Sequence, residues 1–151
     1  MKPSERVAVV GVGCSKFGDR FDASYEDLAV EAAAAVLSDA AIPLDRIDAA
    51  VLATYSPGPH GGNSGTSLAD SLRLFGKPVT RVENYCATGT DAFRHAVMAV
   101  LSGTHECVLV LGVEKMKDRG DRGVPLEGRH PIFGHGSTAP GLFALAANRY
   151  M

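Results

Sequence analysis

The residues with the clearest chemical potential lie between positions 79 and 116. Val79-Thr80-Arg81-Val82 reads as a strand, and Glu83-Asn84-Tyr85-Cys86 as a short turn ending on a cysteine. Ala87-Thr88-Gly89-Thr90 is the small-residue start of a helix that runs through Ser102, and a second strand over 107–112 closes on Glu114-Lys115-Met116. A cysteine on a strand-to-helix turn sits at the positive end of the helix. There, unpaired N–H groups and the macrodipole favour a thiolate. Cys86 is therefore the candidate nucleophile.

Other reactive residue types have simpler readings. Cys14 falls in a turn, and Cys107 begins an apolar strand where cysteine behaves as a small buried hydrophobe. Gly11-Val12-Gly13 lacks the third glycine of a dinucleotide fingerprint, since position 16 is Lys16, so it reads as a tight turn. The glycines of 55–65 are not followed by Gly-Lys-Ser/Thr, so that stretch reads as a loop and not as a phosphate cradle. His60, His95 and His105 read as surface residues. Arg119, Arg122 and Arg129 lie in a polar, glycine-rich excursion over 118–139. They are candidates for the phosphates of a nucleotide-bearing substrate, with a solvated charged loop as the open alternative. Nothing has zinc-ligand spacing, and no metal site is expected.

The elements that must position Cys86 alternate between strand and helix. Residues 6–12 form a valine-rich run that reads as a buried strand. Ser24-Tyr25-Glu26-Asp27 has the form of a capping box for a helix to about Ala41, stopped by Pro43. A second buried strand is predicted over 47–54, and a helix over 66–75 with Leu68, Leu72 and Phe75 on its core face. In the helix after Cys86, the stripe Phe93, Ala96, Val97, Val100 and Leu101 reads as core. Buried strands alternating with helices imply a parallel sheet with helices on its faces.

Composition narrows the function. A chain of 151 residues, 46% hydrophobic and 21% charged, suits a globular unit with a sizeable core. A formal charge of -2 leaves no basic footprint for nucleic acid. The longest apolar run, 32–37, is too short to span a bilayer, and no apolar signal core follows the first residues. Three cysteines without a CxxC pair indicate free thiols, and a cytoplasmic location is expected.

Asn84-Tyr85-Cys86-Ala87-Thr88-Gly89-Thr90 and Gly112-Val113-Glu114-Lys115-Met116 resemble the nucleophile region of thiolases. They match the patterns N-x-C-A-T-G-[ST] and G-x-E-K-M of the sterol-carrier-protein-x branch. Gly11-Val12-Gly13-Cys14-Ser15-Lys16-Phe17 is similar to that branch's opening strand and turn, and the Ala-Pro-x-x-Phe run from Ala139 to the start of its loop domain. The resemblance implies a thiolase-like N-terminal α/β half over 1–116 and the beginning of a loop domain over 117–151, with the family's second half missing or on a separate chain.

It also implies an acyl-CoA acyltransferase of the acetyl-CoA acetyltransferase kind, linked to lipid metabolism and lipid-transfer proteins. Such an enzyme performs thiolytic cleavage or Claisen condensation through an acyl-enzyme on Cys86. Asn84, Ala87, Thr88 and Gly89 would give oxyanion or turn support. Coenzyme A enters as substrate, with no bound cofactor, and two copies pair through the strand 79–84. The family's Gly-His-Pro motif lies far into the second half, so Arg129-His130-Pro131 does not inherit its role. A nucleophile without those histidines is expected to be inactive alone, and a lone half is expected to expose apolar surface. Two alternatives stay open: a thiolase-like retro-aldolase acting on a steroid or lipid side-chain CoA ester, and a non-catalytic half that binds a partner chain.

Overall fold

The computed structural model describes residues 6–55, 65–119 and 138–151. The chain divides into two compact units, Met1–Glu114 and Lys115–Met151. In the first, α1 (Tyr25–Ala40), β1 (Ala49–Ala53), α2 (Thr66–Ser71), β2 (Val79–Val82), α3 (Thr88–Leu101) and β3 (Val108–Gly112) follow in order. The strands form a parallel three-stranded sheet in the order β2-β1-β3, with Ala50 opposite Val79 on one side and Leu109 on the other. This is the α/β architecture read from the alternation of elements.

Period-two alternation divides the sheet between two apolar layers. Ala50 and Leu52 of β1, with Leu109 and Leu111 of β3, pack in one core cluster with Ala29 and Ala33 of α1. Val51 and Ala53 face the other way, into a cluster with Ala92 and Ala96 of α3. All five residues of β1 are buried, as expected of a central parallel strand covered on both faces. Alanines at the helix contacts let α1 and α3 lie close to the sheet.

Local chemistry fixes the ends. The Ser24 hydroxyl accepts from the Asp27 N–H at 3.0 Å, and the Asp27 carboxylate accepts from the Ser24 N–H at 2.8 Å, completing the expected capping box. Ala41 in the left-handed region, φ 53, ends α1 two residues before Pro43. The Asp48 carboxylate accepts from the N–H groups of Glu106 (2.8 Å) and Cys107 (3.2 Å), tying the entry of β3 to that of β1.

Three sequence expectations change. Residues 7–13 carry no regular secondary structure and join no strand among the described residues, and Val9, Val10 and Val12 are 61%, 63% and 70% exposed. β-branched residues favour an extended chain, yet a strand also needs a neighbour, and none pairs with this run among the described residues. The run is held on α1 instead. Val12 N–H donates to Asp39 at 2.8 Å and Lys16 N–H to Glu31 at 3.1 Å. The helix α2 is shorter than expected, because Arg73 adopts φ 55 and breaks the helical period. That turn buries Leu74 and swings Phe75 outward to 69% exposure. Finally, Phe93 of the α3 stripe is 47% exposed, and Ala92 is buried in its place.

The second unit contains a short 3-10 turn (Met116–Arg119) and α4 (Ala139–Tyr150), which Thr138 caps by accepting from Gly141 N–H at 3.2 Å. The loop expected over 55–65 and the excursion over 118–139 fall largely outside the described residues, and with them His60, Arg122, Arg129 and His130. No helix among the described residues is long and apolar enough to cross a membrane.

The glycines that let residues 7–13 approach α1 give a direct test. A Cβ on Gly11 would stand 2.7 Å from Ala40 Cβ, and one on Gly13 2.8 Å from the Ala32 carbonyl oxygen. Gly13→Ala is expected to lower stability by about 1–3 kcal/mol, as overpacking against helix backbone does, read from urea unfolding.

Candidate active site

Because the strands are parallel, their C-terminal ends gather at one edge of the sheet, the edge at which open α/β folds place their sites. Thr54 and Tyr55 leave β1 there, residues 83–86 leave β2, and Val113 and Glu114 leave β3. Glu114 Oε1 accepts from the Thr54 hydroxyl at 3.0 Å and, in a short contact, from the Tyr55 N–H. Arg81 Nη2 donates to the carbonyls of Thr54 (2.9 Å) and Tyr55 (3.2 Å). One cation from β2 and one carboxylate after β3 thereby hold the exit of β1 between them.

That exit touches the turn that carries Cys86. The Tyr55 and Tyr85 rings stand 5.2 Å apart, tilted by 31°. Tyr85 has φ 48, a left-handed conformation that costs a non-glycine residue roughly 1–2 kcal/mol. It is held there on several sides. Its N–H donates to Glu83 Oε1 at 2.6 Å, and its carbonyl accepts from the Thr88 hydroxyl at 2.6 Å and from the Thr88 N–H. The Thr88 hydroxyl in turn accepts from Asn84 N–H at 2.8 Å.

Cys86 follows in the one-turn 3-10 helix Tyr85–Ala87, which runs directly into α3. Its thiol is free and exposed. Asn84, Ala87 and Thr88 serve the turn itself: Ala87 N–H donates to the Asn84 carbonyl at 2.9 Å, and Thr88 N–H to that of Tyr85. Those two amides are spent within the turn in this conformation and are not open to an oxyanion. Gly89 lies at the start of α3, with open space where a side chain would stand.

The other candidates are placed elsewhere. Cys14 is exposed, its thiol donating to the Ser15 carbonyl at 3.1 Å. Cys107 is half-buried, and burial, then the Asp48 carboxylate, pushes its thiol up from the ordinary value. His95 is exposed and His105 lies 3.9 Å from Asp48, so neither hydrogen-bonds to Cys86. Arg119 ends the 3-10 turn of the second unit. No cluster of metal-ligating side chains is present among the described residues.

Two buried polar atoms beneath the site have no hydrogen-bond partner, Tyr25 Oη and Arg81 Nε. Burial raises the Tyr25 phenol above its ordinary value. The Thr54 hydroxyl lies close enough to oppose this, without a well-formed hydrogen bond. Sequence reasoning gave no role to Thr54, Tyr55 or Arg81, and left Glu114 as a motif letter. Their shared place at the C-terminal ends of neighbouring parallel strands was the signal that would have joined them.

The family model for the thiolase N-terminal domain matches residues 7–127. The chain belongs to the thiolase family. It is 37% identical over 150 residues to the acetyl-CoA acetyltransferase of Methanothermobacter thermautotrophicus, covering 96% of this chain and 39% of that protein. It is 39% identical over 127 residues to human sterol carrier protein 2, covering 82% of this chain and 23% of the relative. The solved acetyl-CoA acetyltransferase of Syntrophomonas wolfei superposes with a TM-score of 0.57 at 27% identity, over 68% of this chain and 27% of that one. The chain thus spans about two fifths of the length of its acetyltransferase relative and less of the others. The thiolase resemblance of the turn around Cys86 is matched by this wider similarity.

Two substitutions test the site's construction. Thr88 is buried at 6% exposure, and Thr88→Val removes both hydrogen bonds of its hydroxyl. A loss of about 1–3 kcal/mol is expected in chemical denaturation, with Tyr85 freed from its left-handed conformation. Tyr25→Phe removes an unpartnered hydroxyl and should leave stability at neutral pH within about 0.5 kcal/mol. The raised Tyr25 value means its contribution is full below the unfolded value near 10.0 and is lost as pH rises through the folded value. Urea unfolding above pH 10 should therefore show a smaller alkaline loss in the variant than in the parent.

Proposed function

We propose that this chain is the nucleophile-bearing half of a thiolase-type acyl-CoA acyltransferase. Cys86 Sγ attacks the thioester carbonyl of an acyl-CoA. The new S–C bond gives an acyl-cysteine, the bond to the coenzyme A sulfur breaks, and coenzyme A leaves as the thiol after taking up the proton that Cys86 gives up. The observation that carries the reading is the exposed Cys86 thiol on a strained turn at the start of α3, beside the C-terminal ends of the parallel strands. Acetyl-CoA is the first substrate to try, since the Methanothermobacter relative is named for it. The histidines that activate the thiol and the second substrate come from a further half, supplied by the rest of a longer chain or by another chain. Pairing of two copies through β2, an edge strand of the sheet, belongs to the same proposal.

The retro-aldolase alternative uses no acyl-cysteine, and the accessory-half alternative uses no activated thiol, so Cys86 discriminates among all three. Iodoacetamide near neutral pH is expected to label Cys86 on the order of tenfold faster than Cys107, which is half-buried, or Cys14, whose thiol is engaged with Ser15. With the histidine-bearing half supplied, peptide mass mapping after incubation with acetyl-CoA should place an acetyl group on Cys86 and on neither other cysteine, and Cys86→Ser should abolish it. Equal labelling of the three thiols would favour the accessory half. Fast labelling without an acetyl adduct once that half is supplied would favour the aldolase.

A further inference from the structure

Cys86 follows directly on Tyr85, whose φ of 48 lies in the left-handed region, so any relaxation of Tyr85 carries the thiol with it. The hydrogen bonds from Glu83, Asn84 and Thr88 are local to the turn. The ring contact with Tyr55 comes from the exit of β1, far along the chain. Tyr55 is in turn placed through its backbone. Its N–H donates to Glu114 Oε1, and its carbonyl accepts from Arg81 Nη2 at 3.2 Å, so the peptide groups on both sides of its Cα are tied to charged side chains. The Thr54 carbonyl, in the same peptide group as the Tyr55 N–H, accepts from Arg81 at 2.9 Å. Glu114 is anchored as well, because Oε1 also accepts from the hydroxyl of Thr54, which is buried. We infer that Tyr55 and Glu114 are positioning residues for Cys86. Glu114 sets the Tyr55 backbone, the Tyr55 ring bears on the Tyr85 ring, and Tyr85 thereby keeps Sγ in its place at the start of α3.

The inference rests on the reading of Cys86 as the nucleophile, and neither residue is asked to touch the reacting atoms. A centroid separation of 5.2 Å and a tilt of 31° lie within the range of attractive aromatic pairs. The attraction of such a pair and the cost of one left-handed residue are of the same order, so loss of the ring is enough to shift the balance toward a relaxed turn. Relaxation would swing Sγ away from the helix start, where the amide dipoles favour a reactive thiolate. The two charged groups suit their posts. A carboxylate oxygen takes two donors at once, a guanidinium nitrogen serves two carbonyls, and opposite charges grip opposite sides of one dipeptide.

The test uses the full chain and four variants. Tyr55→Leu removes the ring and Tyr55→Phe keeps it; Glu114→Ala removes the acceptor, and Glu114→Gln keeps an oxygen for the same two donors. The Cys86 amide resonance is followed by NMR, and iodoacetamide labelling of Cys86 is compared with that of Cys14 and Cys107. Glu114→Ala leaves both rings in the chain, so a moved resonance there reports displacement of the turn and not a lost ring current. Tyr55→Leu and Glu114→Ala are expected to move the resonance and to slow Cys86 labelling about tenfold with Cys14 unchanged, while Tyr55→Phe and Glu114→Gln stay at the parent values. A merely structural role would instead speed labelling of half-buried Cys107 and leave the Cys86 rate alone, which would overturn the inference. So would an unmoved resonance in Glu114→Ala, or Tyr55→Phe as impaired as Tyr55→Leu. Should Glu114→Ala not fold, the labelling rates of the two Tyr55 variants decide. Parent Cys86 labelling no faster than Cys14 would overturn the nucleophile reading, and the resonance in Glu114→Ala and Glu114→Gln would still decide whether the turn is positioned from Glu114.

Discussion

The parallel pairing of β1 with both of its neighbours is the constraint on which the structure depends. The strand is apolar throughout because both of its faces are covered: Ala50 and Leu52 point toward α1 while Val51 and Ala53 point toward α3. Parallel direction then delivers three chain exits to one edge. A hairpin-built sheet would send alternate exits to opposite edges and could not bring Thr54, Arg81 and Glu114 together. The site is thus a product of topology before it is a product of any particular side chain.

Around Cys86 the chain favours order over accessibility of donors. Hydrogen bonds from Thr88 and Asn84 and the contact of the Tyr55 and Tyr85 rings hold Tyr85 in a conformation it would not otherwise keep. Strain of this kind persists only where the surroundings over-determine it. Here they do so with groups from the turn itself and from the end of β1. The turn that carries the Cys86 thiol is thereby held by hydrogen bonds on both sides of the cysteine.

Much of this was legible in the residues. The capping box at Ser24, the strands at 49–53 and 79–82, and the turn that presents Cys86 follow from local pattern and chemistry. What was not legible depends on neighbours distant in sequence. Val9, Val10 and Val12 carry the composition of a buried strand, but pairing is decided by what lies alongside. Phe93 reads as core because its spacing is right, yet it is 47% exposed. Phe75 lost its place to Leu74 through a single left-handed residue, Arg73, that no periodicity announces. The contacts of Glu114 with Thr54 and Tyr55 bridge chain positions far apart and have no local signature.

The same parallel order shapes how the molecule comes into being. Ala49 pairs with Val108, and Ala50 with Val79, so neither partner of β1 is close to it along the chain. During synthesis the most buried of the three strands leaves the ribosome first and waits for β2, then for β3, with only α1 to cover it. Contacts of such long sequence separation form slowly, and unpaired apolar strands invite aggregation while they wait. The capped, alanine-rich α1, which is made before β1, can shelter one of its faces in that interval. A helix that later packs one layer of the sheet is thereby also the first guardian of its centre.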